Sequence, residues 1–209
     1  MTEQEWLNCG VPHLMLEALD DPKRVSYRKL RLYACACCRL IPGFMDSAPD
    51  RDSVALAEGE ADGLAVAGED FPEAEVWDIR WYRRNAWNSA RRAITSYQDA
   101  LWDTHRLHHR PEDERAGIPE NGDRILCDLL REIVGNPFRL VPTSPAWFTS
   151  TVVALATGIY ADRASDRMPI LADALQDAGC EDTDILSHCR GNDSHVRGCW
   201  VVDLLLGKS

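Results

Sequence analysis

The sequence predicts an all-α fold, a compact domain of about seven to ten helices around one long central helix. Three observations predict it. Residues 73–109 contain neither proline nor glycine, and Ile79, Tyr82, Ala86, Ala93, Tyr97, Ala100, Thr104 and Leu107 recur there at helical spacing. Elsewhere, stretches with apolar residues three and four apart alternate with Pro- and Gly-containing breaks and with residues able to cap a helix. The strongest strand-like run is CWVVDLLL at 199–206, and its leucines and its helical neighbours favour helix there too. No repeat of fixed period and no low-complexity tract interrupts this pattern.

In chain order, Thr2 and Glu5 form a capping-box pair that starts a short helix at Glu3, with Trp6 and Leu7 inward and Gly10 at its end. Pro12 suits the first turn of a second short helix with Leu14, Met15 and Leu19 on its apolar side. Ser26 caps a third, over 27–41, whose stripe holds Leu30, Tyr33 and Cys37. Residues 44–52 read as a loop, and 53–65 as a fourth helix with Val54, Ala57, Ala61 and Leu64 on one face. The long helix over 73–109 follows, with aromatic residues lying partly off its main stripe, so it is expected to pack on two sides. Residues 110–123 read as an exposed loop.

The next helix covers 123–134, with Ile125, Leu126, Leu129, Leu130 and Ile133 inward and Gly135 as its C-terminal cap. GNPFRLVPTSPAW is an irregular connection with three prolines. Helices are then expected from Thr149 or Ser150 to about Tyr160, over MPILADALQDAG with Asp166 as its cap, over the short DILSHC turn capped by Asp182 or Thr183, and from Ser194 or His195 to Gly207.

At 209 residues the chain is long enough to bury a sizeable core, and its 45% apolar and 27% charged residues are ordinary for a soluble protein. A formal net charge of −11 argues against a nucleic-acid surface, which needs a basic patch. No apolar run approaches the ~20 residues that span a bilayer. The opening MTEQEWLNCG lacks the basic-then-apolar pattern of a signal peptide, so the expected location is cytoplasmic. Eight cysteines in that compartment are read as thiols or metal ligands, not disulfides.

Two pieces of the chain carry a resemblance. EWL followed by RKLRLYACACCRLI, and NPFR…AW…TVVALATGIYADRASDRMPILADALQDAGC…DILSHCRG…HVRGCWVVDLLLGK, resemble a family of hypothetical proteins abundant in planctomycete bacteria. The likeness covers roughly residues 1–41 and 136–208. It implies one helical domain over 1–209, in which 44–122 is a variable middle region bearing the long helix and 123–209 is a C-terminal helical core. Residues 191–194 depart from the family pattern, which is Gly-Pro-rich at that point. The resemblance implies no activity and no catalytic residue.

The candidate metal ligands are Cys180, His188, Cys189, His195 and Cys199. His195-x-x-x-Cys199 would place two ligand types one turn apart on a helix face, and one of the adjacent His188 and Cys189 ends the preceding element. Zinc is the ion such a set takes, and no other cofactor is expected. The competing reading, which the sequence favours for want of a CxxC…CxxC framework, treats these cysteines as small buried hydrophobes. The CxxC at Cys35–Cys38 lies inside a helix, away from the helix N-terminus that activates redox thiols, and reads as core packing.

Tryptophans interleaved with arginines supply a second lead. Trp77, Trp81, Arg84, Trp87 and Trp102 are of the types enriched at interface anchors, and would meet a protein partner or a second copy of the chain. Filling a helical core is the bland alternative. The Asp and Arg residues at 162–177 read as a solvated face with ion pairs one turn apart. No GxSxG elbow, GxxxxGK[ST] loop or HExxH is present. The sequence therefore leans away from an enzyme and towards a non-catalytic helical protein-interaction module. The alternatives are a zinc-stabilised helical domain and an enzyme of unidentified class.

Overall fold

The computed structural model describes residues 1–20, 24–41, 44–63, 90–98, 121–191 and 194–208. These residues are all-helical, with no strand among them. The α-helices are α1 (Glu3–Asn8), α2 (Pro12–Ala18), α3 (Tyr27–Leu40), α4 (Ala48–Ala61), α5 (90–98), α6 (Gly122–Val134), α7 (Ser150–Asp162), α8 (Met168–Asp177), α9 (Thr183–Arg190) and α10 (Trp200–Leu206). The chain divides into two compact units, Met1–Arg131 and Glu132–Ser209. Of the long helix expected over 73–109, residues 90–98 are helical and the rest lies outside the described residues.

In the first unit the capping chemistry acts as read from the sequence. Thr2 accepts from the Glu5 backbone while the Glu5 carboxylate accepts from the Thr2 N–H at 2.7 Å, and Ser26 accepts from the Lys29 N–H. Trp6 is fully buried, whereas Leu7 and Leu14, both expected inward, are half exposed. Helices α1 and α2 are only six and seven residues long, so each turns a narrow apolar edge inward. Helix α4 starts at Ala48, earlier than expected, because Pro49 fits a first helical turn, where its missing N–H costs nothing.

Helix α3 is buried nearly all round, and α4 packs against it. Two ion pairs join them. Arg39 grips the buried Glu58 with both Nε and Nη2, each at 3.0 Å, and Arg28 holds Asp62 at 3.0 Å. Tyr33 donates from its hydroxyl to the Leu126 carbonyl at 3.3 Å. Arg131 donates to the carbonyls of Trp6 and Cys9, which fixes the end of α1.

The second unit is built on α7–α10. Trp147, Val152, Ala156, Ile159, Met168, Leu171, Leu175, Ile185, Val201, Val202 and Leu205 form one apolar cluster. Helix α8 packs against α7 and α9, and α10 against α7 and α9. Asp182 caps α9 by accepting from the N–H groups of Asp184 and Ile185. Arg139 pairs with Asp184 and lies 3.9 Å from Asp182, tying the irregular connection to the start of α9.

Gly135 ends α6 at φ 72°, a left-handed conformation natural to glycine. A Cβ there would lie 3.1 Å from Trp200 Cγ, so the same residue stops the helix and seats the first side chain of α10.

Candidate metal centre

The last turn of α6, the last turn of α9 and the loop before α10 meet in the second unit, and each brings a metal-ligating group. Glu132 comes from α6, His188 from α9, and His195 and Cys199 from the loop. One ligand atom from each of these four residues lies within 4.8 Å of every other. The Glu132, His188 and His195 side chains are 5%, 15% and 6% exposed and Cys199 is 2% exposed, so the group is shielded from bulk water.

The sequence expects His195 and Cys199 on one helix face, and the structure corrects that. Helix α10 begins at Trp200, with Cys199 as its N-cap residue. Residues 196–199 instead form a tight turn closed by the Cys199 N–H on the Val196 carbonyl at 3.0 Å, with Gly198 at φ 92°. A turn centred on glycine draws His195 and Cys199 together as closely as a helical turn would, with different backbone geometry.

The polar contacts inside the group are short and crowded. His188 Nε2 lies 3.1 Å from Cys199 Sγ and 3.2 Å from Glu132 Oε2. A single ring nitrogen makes one good hydrogen bond, so these two approaches compete for it. His195 Nδ1 lies 3.2 Å from Glu132 Oε1, which also accepts from the Val196 N–H at 3.3 Å. The other ring nitrogen, His195 Nε2, is buried with no hydrogen-bond partner among the described residues, a costly state for a polar atom. The His188 and His195 rings meet edge to face at 4.9 Å, and the Trp200 ring lies 5.2 Å from His188.

Burial first, and then the Glu132 carboxylate, push the Cys199 thiol well above its ordinary range; the N–H groups of Val202 and Val201 oppose that only in part. With no cation beside it, Cys199 is a neutral thiol and a poor nucleophile. A divalent ion would reverse this balance and hold the sulfur as thiolate. One carboxylate, one thiolate and two neutral imidazoles carry two negative charges, which one divalent cation neutralises.

Three of the five sequence candidates, His188, His195 and Cys199, therefore come together. Cys180 and Cys189 are not among the four; both lie in the apolar cluster of the second unit, to which Cys199 also belongs. Burial raises the Cys180 thiol and pushes Cys189 up to about 12. The fourth member of the group, Glu132, is absent from the sequence-based set. Its signal was there to read: it stands three residues after Leu129 and beside Ile133, on the edge of the apolar stripe, where an acidic residue needs a partner.

The interface candidates Trp77, Trp81, Arg84, Trp87 and Trp102 lie outside the described residues. No described helix is long and apolar enough to cross a membrane. Comparison with known proteins places no relative beside this chain: no family model, no curated protein and no solved structure matches it.

Proposed function

We propose that this is a zinc-stabilised helical protein, in which one ion held by Glu132, His188, His195 and Cys199 fastens α6, α9 and the start of α10 together. The observation that carries the reading is the convergence of four different donor side chains within 4.8 Å in a buried site. Imidazole and thiolate donors favour zinc over calcium or magnesium, which take oxygen-rich shells. Four protein donors fill a tetrahedral shell and leave no open position for substrate, which is the arrangement of a structural site. The role is stabilisation, and the ion's binding free energy becomes folding free energy of the unit that holds it.

The test is elemental analysis of the full chain purified without a histidine tag. One zinc per chain is expected, removable by a strong chelator with loss of thermal stability. Absorption-edge spectroscopy should give zinc–sulfur at ~2.3 Å and zinc–nitrogen at ~2.0–2.1 Å. Protein that stays metal-free after dialysis against zinc, with unchanged stability, would sink the reading.

A further inference from the structure

Tyr160, half-buried on α7, receives two cations from the segment that bears two of the metal donors. The Arg197 guanidinium carbon lies 4.8 Å from the Tyr160 ring centroid, and Arg197 Nε donates to the Tyr160 hydroxyl at 3.4 Å. Lys208 Nζ lies 4.7 Å from the same centroid. Arg197 stands inside the turn that joins His195 to Cys199. Lys208 follows α10, and its backbone N–H closes on the Asp203 carbonyl at 2.9 Å. One side chain thus takes hold of the donor loop at its middle and of the helix behind it at its far end.

We propose that Tyr160 is a positioning residue for the metal centre, whose grip on Arg197 and Lys208 holds the His195–Cys199 turn in place and sets how fast the site releases its ion. This rests on the zinc reading above. His195 and Cys199 both lie in the segment between α9 and α10, so any movement of the turn that joins them carries two of the four donors together. Cation–ring contact and a hydrogen bond from the same arginine restrain that loop from the α7 side. Outer groups that orient donors in this way change metal affinity by about 10–100-fold when removed.

The experiment uses the full chain loaded with zinc and follows metal transfer to an excess of a chromophoric chelator. Tyr160→Leu, which removes ring and hydroxyl, should release zinc at least about tenfold faster than the parent. Tyr160→Phe keeps the ring and should recover most of the slow release. Arg197→Gln keeps the Tyr160 side chain itself on α7 and should reproduce the Leu effect even where Tyr160→Leu folds poorly. Arg51→Gln, which removes an exposed contact to the Met45 and Asp46 carbonyls in the first unit, is the control and should leave release unchanged. Cobalt-loaded protein adds a readout that a purely structural role would not move: the visible band should shift in Tyr160→Leu and Arg197→Gln and stay in Tyr160→Phe. Equal release rates and band shapes in all variants, whatever their melting temperatures, would overturn the proposal. A parent chain that binds no zinc would instead remove the metal reading beneath it.

Discussion

At the scale of single residues, the second unit separates cysteines that look alike in sequence. Cys189 and Cys199 both belong to the apolar cluster, but it is Cys199 that also lies within 4.8 Å of the donor atoms of Glu132, His188 and His195. Cys199→Ser should therefore lower zinc affinity by more than the ~10–100-fold typical of outer-shell changes. Cys189→Ser should leave one zinc per chain, yet destabilise the fold by about 1–3 kcal/mol, because it buries a hydroxyl among apolar groups. Zinc competition and urea unfolding of both variants check the pair; a reversal of the two effects would assign the cysteines the other way round. The donor types were legible in the sequence because histidine and cysteine are few and their spacing is short. Glu132 was harder to pick out, since one acidic residue among 34 shows its role only when burial is known. What separates Cys189 from Cys199 is which sulfur lies within reach of the other donors, and spacing along the chain does not carry that.

At the scale of elements, helix ends were more legible than helix faces. Thr2, Ser26, Thr149 and Asp182 cap the helices they were expected to start, because a capping side chain acts on backbone only two or three residues away, whereas Asp166 lies in a short turn before α8 and Arg167, with no side-chain cap, precedes that helix. The start of α10 was misplaced because a four-residue spacing of His195 and Cys199 fits a helical turn and a glycine turn equally well. Leu7 and Leu14 were misplaced because a helix of six or seven residues has too few positions to define a stripe. Gly135 gives this scale its prediction. Alanine there must hold φ 72° and place its Cβ 3.1 Å from Trp200 Cγ. The left-handed backbone costs about 1–2 kcal/mol and displacing a packed side chain about 1–3 kcal/mol, so Gly135→Ala should destabilise by roughly 2–5 kcal/mol. Trp200 follows Cys199 directly, so the same change should weaken zinc binding and shift tryptophan emission when zinc is added. A stable variant with parental zinc affinity would show that Trp200 has room to move.

At the scale of the molecule, zinc removal should act on one unit and alkaline pH on both. Removing zinc should speed amide exchange in α9, α10 and the loop between them, all within Glu132–Ser209, and leave α3 and α4 protected; exchange followed by mass spectrometry reads this directly. Alkaline pH should act through the buried thiols of both units, and those of Met1–Arg131 can be followed separately. Burial pushes the Cys38 and Cys127 thiols up from an ordinary 9.0 to about 12, and raises Cys35, Cys37 and the Tyr33 hydroxyl as well. Below the ordinary thiol range both folded and unfolded chains keep these protons, and pH has no leverage through them. Between about pH 9 and about pH 12 the unfolded chain loses the protons while the folded chain retains them, so the unfolded state binds fewer and stability falls as pH rises. A fully buried thiol such as Cys38 contributes a slope approaching about 1.4 kcal/mol per pH unit in that window. Urea midpoints measured from about pH 8 to about pH 10.5 should therefore drop more steeply in the parent than in a Cys38→Ala, Cys127→Ala chain, even though the variant starts from lower stability. Lysines and exposed tyrosines titrate in both chains and cancel in the comparison. Parallel slopes would mean that the buried thiols ionise in the fold as readily as they do in the open chain, and that the interior around α3 admits water.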